Sequence, residues 1–168
     1  MKMSDQLAEK FNRQIDLELA SSIAYLQMAA YFDSRSLPGM ASWMRIQSEE
    51  ERAHGLKFFD HVLDRGNKIA LGAGEVPKTE FDSAVDAFET ALAQEQRVSE
   101  SISGLYAAAL ADGDSASFSM LQWFLEEQIE EESTVSDIVE QLKLVGNDGG
   151  ALLLLDRELG QRSPTTQG

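Results

Sequence analysis

Residues 48–54 read SerGluGluGluArgAlaHis, and within them Glu51 and His54 stand three positions apart. In a helix that spacing puts both side chains on one face, one turn apart. The flanking residues Met40, Met44, Gln47 and Phe58 continue the same face in alternating steps of four and three. This is the pattern of an apolar seam inside a bundle. A carboxylate and an imidazole on such a seam are costly to bury, unless they grip a cation together.

Three further seams can be traced outward from this one. The first helix gives Phe11, Ile15, Glu18, Ser22, Tyr25, Ala29 and Phe32. The third gives Phe88, Leu92, Glu95, Ser99, Ile102, Tyr106 and Ala109. The fourth gives Leu121, Phe124, Gln128, Glu131, Val135, Ile138 and Leu142. Each stripe is broken near its middle by glutamate, and the breaks fall at similar depth if the helices pack antiparallel. Four clustered carboxylates would repel one another and resist ionisation. Two divalent cations remove both difficulties. The expected ligand set is therefore Glu18, Glu51, His54, Glu95, Gln128 and Glu131, with Glu51 central enough to bridge two ions. His54 would complete the shell of one ion, and Glu95 or Glu131 that of the other. Hard oxygens with one imidazole favour iron or manganese.

Boundary signals place the helices at about 4–34, 38–66, 82–112 and 114–146, with a short apolar helix at about 151–159. Ser4 or Asp5, Asp82, and Asp114 or Ser115 are the expected N-terminal caps or starts, and Pro38 suits a first turn. Gly149 and Gly150 read as a break before the last helix. The joins near 35–37 and 113 are short, so each flanking pair should form an antiparallel hairpin. Residues 66–81 form a long link instead. A helix of about 28 residues spans roughly 42 Å, and sixteen extended residues reach about 53 Å. The link can run the whole bundle length. The expected fold is all-α: one domain over 1–168, a four-helix bundle with one long crossover, then a short fifth helix and a disordered tail over about 161–168.

The chain has 168 residues, no cysteine and a formal net charge of -15. Disulfides and thiolate metal sites are thus ruled out. The charge argues against nucleic acid and anionic membranes as partners, and favours cations. The start MetLysMetSerAspGln has no apolar signal segment, and no run approaches membrane-spanning length. The cytoplasm is the expected location, with an organelle such as a plastid as the alternative.

Four segments carry a resemblance to the non-haem ferritins of the bacterial type. They are GluLeuAlaSerSerIleAlaTyrLeuGlnMetAla (18–29), GluGluGluArgAlaHisGly (49–55), GluGln (95–96) and LeuGlnTrpPheLeuGluGluGlnIleGluGluGlu (121–132). The resemblance implies a di-iron ferroxidase site on Glu18, Glu51, His54, Glu95, Gln128 and Glu131, with the family's site tyrosine at Tyr25 as its catalytic residue. It implies a third iron position on Glu50, Glu127 and Glu130, shared with Glu131. It also implies iron storage with O2 or H2O2 as oxidant, and a homo-oligomeric shell of 24 subunits whose fourfold contacts the Leu152–Leu155 helix lines. The last core helix carries Gln128 and Glu131 rather than a second Glu-x-x-His, unlike bacterioferritins and rubrerythrin-like proteins. Arg52 stands where bacterioferritins present a haem-ligating methionine, so no haem is expected.

Plainer readings compete. Tyr25 is also a suitable core aromatic, Trp123 a packing residue one step off the seam, and His61 a bundle-end or surface histidine. Glu127, Glu130 and Glu132 also suit a solvated acidic face. The Leu152–Leu155 run can dock on its own bundle. For the whole chain, a soluble non-storing di-iron redox enzyme of peroxidase type and a metal-free structural bundle are the alternatives.

Overall fold

The computed structural model describes residues 1–164 as five helices. These are α1 (Asp5–Ser34), α2 (Pro38–Asp64), α3 (Ala84–Ala111), α4 (Ser115–Val145) and α5 (Gly149–Leu159). No strand occurs among the described residues.

Local chemistry sets the ends. The Ser4 hydroxyl accepts from the Leu7 N–H at 3.1 Å, and Asp114 accepts from Ser117 at 3.3 Å. Each satisfies an N–H that the first helical turn leaves unpaired. The cap of α3 is Ser83 rather than the expected Asp82. Its Oγ accepts from the Asp86 N–H, while the Asp86 carboxylate reaches back to the Asp82 N–H at 2.9 Å. At α5 the two glycines do not break the chain. Asp148 accepts from both Gly150 and Ala151, at 2.9 and 3.0 Å, and so starts the helix at Gly149.

The helices pack α1 on α2 and α3 on α4, with α1 against α3 joining the two pairs. The link between α2 and α3 tracks along α1, as its length requires. Asn12 donates to Lys68 O at 3.0 Å and accepts from the Ala70 N–H at 2.7 Å. Further along, Asp16 accepts from the Gly72 N–H at 2.8 Å. Phe81 then closes the link, buried beside Tyr31 with ring centroids 5.2 Å apart.

α5 docks on α2 through one buried carboxylate. Asp156 accepts from the N–H groups of Gly39 and Met40, at 3.1 and 2.8 Å, at the positive end of α2. The fit demands glycine: a Cβ on Gly39 would lie 1.7 Å from the Asp156 carbonyl oxygen. Leu155 is buried by this docking, yet Leu153 and Leu154 remain 48% and 66% exposed. The helix is thus half docked on its own bundle and half an open apolar surface. Beyond it, Arg162 packs back on α2 rather than leaving the surface, while 165–168 lie outside the described residues.

The interior is cut in two. One apolar cluster holds Tyr25, Phe32, Met40, Met44, Phe88 and Ile138 among its members. The other holds Phe11, Ile15, Phe58, Ile102, Leu121 and Phe124. Glu18, Glu51, His54, Glu95, Gln128 and Glu131 belong to neither, although all are buried. They occupy the level between the clusters on all four long helices.

Candidate metal centre

The heptad spacing that builds the apolar clusters also turns these six polar side chains inward. Glu18 on α1 and the Glu51–His54 pair on α2 each present a ligand atom, and the three atoms lie within 4.8 Å of one another. His54 Nδ1 is 3.9 Å from Glu51 Oε1, too far for a hydrogen bond. Glu95 on α3 and Gln128 on α4 meet opposite, where the Gln128 amide donates to Glu95 Oε2 at 3.3 Å and to Ser99 Oγ at 3.2 Å. Tyr25 donates its hydroxyl proton to Glu95 Oε1. Glu131 sits near enough to Glu18, Glu51 and Glu95 for its charge to act on their ionisation or theirs on it.

Six buried atoms here have no hydrogen-bond partner among the described residues: Glu18 Oε2, both Glu51 oxygens, both His54 nitrogens and Gln128 Oε1. Native interiors rarely leave such groups unmatched, because each forfeits its hydration without return. All six belong to the seam-breaking set. Five of them can each offer a lone pair of the kind a hard divalent cation takes: three carboxylate oxygens, one amide oxygen and one nitrogen of the neutral imidazole, whose other nitrogen carries the proton.

The electrostatics have the same origin. Burial pushes the Glu18 and Glu95 carboxyls up to about 7 and that of Glu131 to about 8. Glu51 is raised well above the carboxylate range, by burial and then by Glu95, Glu18 and Glu131. Burial and the nearby Lys57 cation lower His54 to about 4. The ring is therefore neutral at physiological pH and free to offer a lone pair. Desolvation and the Glu95 charge raise the Tyr25 phenol well above its ordinary range.

A ring of amides and hydroxyls steadies the set. Gln14 donates to Glu18 Oε1 at 2.7 Å and itself accepts from Ser101 at 2.5 Å. Gln47 donates to Glu131 Oε2 at 2.5 Å. Gln47 lies on the α2 seam, where periodicity marks it only as inward-facing, and Gln14 lies off the α1 seam. The position of Gln14, one turn before Glu18 on the same face, was the available signal.

The outer residues are less uniform. Glu50 is buried, Glu127 half-buried and Glu130 exposed. The carboxyl of Glu127 is raised by burial and then by Glu130 and Glu50, so the three share one neighbourhood. Trp123 sits edge-on to His54 with centroids 5.6 Å apart and carries the Lys57 ammonium over its face. His61 is half-buried, stacked on Phe11, with Nε2 2.9 Å from Ser117 Oγ. It stands outside the centre. Arg52 is exposed and 3.9 Å from Glu49.

Fold and buried layer together define a four-helix bundle with a carboxylate-lined interior, in which Glu18, Glu51 and His54 offer ligand atoms close enough to share one cation. The chain belongs to the ferritin family: the ferritin-like domain matches residues 8–145. It is 41% identical over 161 residues to the bacterial non-heme ferritin of Staphylococcus haemolyticus, covering 96% of this chain and 97% of that one. To the corresponding protein of Staphylococcus aureus it is 39% identical over 161 residues, with the same shares covered. Among solved structures, a ferritin of Archaeoglobus fulgidus described as an open-pore form superposes with a TM-score of 0.94 at 45% identity, covering 96% of this chain and 98% of that one. A form of that ferritin engineered to be closed gives a TM-score of 0.95 at 44% identity, covering 98% and 100%.

Proposed function

We propose that this protein stores iron and oxidises it on entry, acting as a ferroxidase. The observation that carries this reading is the set of six unpartnered buried atoms at the single level where the apolar core is interrupted. In this reading Glu18, Glu51, His54, Glu95, Gln128 and Glu131 receive two Fe(II) ions as substrate, with Glu51 between them. Each ion gives up one electron. O2 taking both electrons and two protons leaves as H2O2; H2O2 as oxidant leaves as two waters. The carboxylates favour the higher charge of the product, and the hydrogen-bonded amides of Gln14 and Gln47 fix their orientation. Binding displaces the protons that burial holds on the glutamates, so uptake is coupled to proton release. Fe(III) then hydrolyses and deposits as mineral. Glu50, Glu127 and Glu130, with Glu131, form the third position on the outer side.

A 24-subunit cage is the assembly we infer. The half-open apolar face of α5, at Leu153 and Leu154, supports it, because such a surface on a monomer invites association. Aerobic Fe(II) addition followed by size-exclusion chromatography tests both parts. A rapid near-ultraviolet absorbance rise and co-elution of iron with a large shell are expected. No rise removes the ferroxidase, and a monomer or dimer removes the cage in favour of a non-storing di-iron enzyme.

Tyr25 is proposed to act on the reaction through Glu95, to which it donates, and as a nearby source of an electron. Tyr25→Phe should keep the fold and slow initial oxidation or later turnover several-fold in stopped-flow traces. Superimposable traces would leave Tyr25 as a packing residue.

A further inference from the structure

The segment that follows α5 returns to the metal centre. Arg162 donates from Nη1 to Gln47 Oε1 and from Nη2 to Glu50 Oε2, each at 2.6 Å. Its guanidinium also lies over the Trp43 ring, 4.7 Å from the centroid. Gln47 passes this grip inward, because its own amide donates to Glu131 Oε2. One arginine thus holds a carboxylate of the outer acidic group directly, and a carboxylate of the inner set through one amide. The side chains of Arg162 and Glu50 are only 23% and 9% exposed. An ion pair withdrawn this far from water acts more strongly than a surface pair. The planar fork, stacked on an indole, is a geometry that lysine cannot reproduce.

The rest of the outer group is acidic. Burial and then the charges of Glu130 and Glu50 raise the Glu127 carboxyl, and Glu131 feels Glu50 and Arg162 in opposite senses. A divalent cation approaching this edge therefore meets a positive charge already seated on Glu50 and linked through Gln47 to Glu131. We propose that Arg162 is a tethered cation which holds the Glu50–Glu131 edge closed and is displaced when a divalent metal ion binds there, so that the segment after α5 sets the affinity of the outermost metal position. The inference rests on the di-metal reading above and adds to it a competitor supplied by the chain itself. It makes the outer position weaker than its carboxylate count implies, and it couples the order of the C-terminal segment to metal load.

Calorimetric titration of the metal-free assembly with Zn(II), which undergoes no oxidation, tests this. The protein with Arg162 should show two tighter binding steps and one weaker step. Arg162→Gln should tighten the weakest step about tenfold, while the first two stay within about twofold, as expected for removing one nearby charge at a partly screened site. Arg162→Lys should fall between them. Ending the chain after Gln161, which keeps α5, should match Arg162→Gln. The chain has two tryptophans, so a Trp123→Phe background leaves Trp43 as the only indole. Its emission should change at the weak step when Arg162 is present and not in Arg162→Gln. An unchanged weak step in Arg162→Gln, or the same Trp43 change with and without the arginine, would overturn the proposal while leaving the inner site intact. Absence of the two tighter steps from the parent protein would overturn the di-metal reading, and this inference with it.

Discussion

Replacing Glu51 by glutamine should abolish rapid Fe(II) oxidation and at the same time raise the melting temperature of the metal-free protein. The two effects have one cause. Glu51 is fully buried, and neither of its oxygens has a hydrogen-bond partner. Burial and three neighbouring carboxylates oppose its ionisation. In the absence of metal the folded chain must hold this group protonated at a pH where the unfolded chain ionises it, which is a liability to the fold, and glutamine keeps its shape while removing that cost. In the proposed site it is the most central of the ligands, on the same helical face as His54 and close enough to Glu18 and Glu95 to feel their charges. Loss of a bridging ligand should lower the initial oxidation rate by about 100-fold or more, beyond what loss of a supporting hydrogen bond costs. The gain in stability should appear as a melting temperature higher by a few degrees, given that about 1 kcal/mol moves a domain of this size by roughly 2–4 °C. Stopped-flow absorbance and calorimetry on chelator-treated protein read the two effects. A rate within twofold of the parent would remove Glu51 from the ligand set. A fall in melting temperature would make it a structural residue.

The opposite signs matter because they separate a site from a core. A structural polar residue loses stability when changed and leaves chemistry untouched. Residues kept for binding are expected to show the reverse. Gln128 offers a milder version of the same argument: its amide N–H groups are matched by Glu95 and Ser99, and only its Oε1 is left unpartnered.

The inner set was legible in the sequence because helical periodicity is a local property. Phe11, Ile15 and Glu18 reveal by spacing alone that the glutamate faces the core, and the same holds for Phe124, Gln128 and Glu131. Of the supporting amides only Gln14, one turn before Glu18, carries such a local signal. Gln47 lies on the seam, but its tie to Glu131 joins α2 to α4 across 84 residues, and no local pattern encodes that pairing. Arg162 was further still from view. Its position depends on how α5 docks, which depends on the Asp156 carboxylate reaching the start of α2 beside Gly39. The polar, glycine-flanked composition after 159 suggests a disordered tail, and no local pattern encodes a contact that spans 115 residues. At the helix ends, a misread cap has a simple reason: Asp82 and Ser83 are both good caps, and the reciprocal bond from Asp86 decides for serine.

Acidity and metal should compete for the same stabilising role. Glu18, Glu95 and Glu131 ionise in the unfolded chain near their ordinary 4.5, but in the metal-free fold only near 7, 7 and 8. Across that window the folded state holds protons that the unfolded state has released. Their contribution is fully present below about pH 4.5 and is lost as the pH rises toward 8. His54 has the opposite sign, since its folded value of about 4 lies below its ordinary 6.5. It contributes above pH 6.5 and loses that contribution as the pH falls toward 4. The two effects oppose each other between about 4.5 and 6.5, whereas from 6.5 to 8 the carboxylates act alone. The metal-free protein should therefore melt several degrees lower at pH 8 than at pH 6.5. Zn(II) should restore the loss at pH 8, because it supplies the positive charge that the departing protons carried. At pH 5.5 the same ion must first expel those protons, so its stabilising effect should be much smaller. Calorimetric melts at the three pH values, with and without Zn(II), measure this directly. A metal-free melting temperature that stays flat or rises from pH 6.5 to 8 would mean that the four glutamates do not share one desolvated layer.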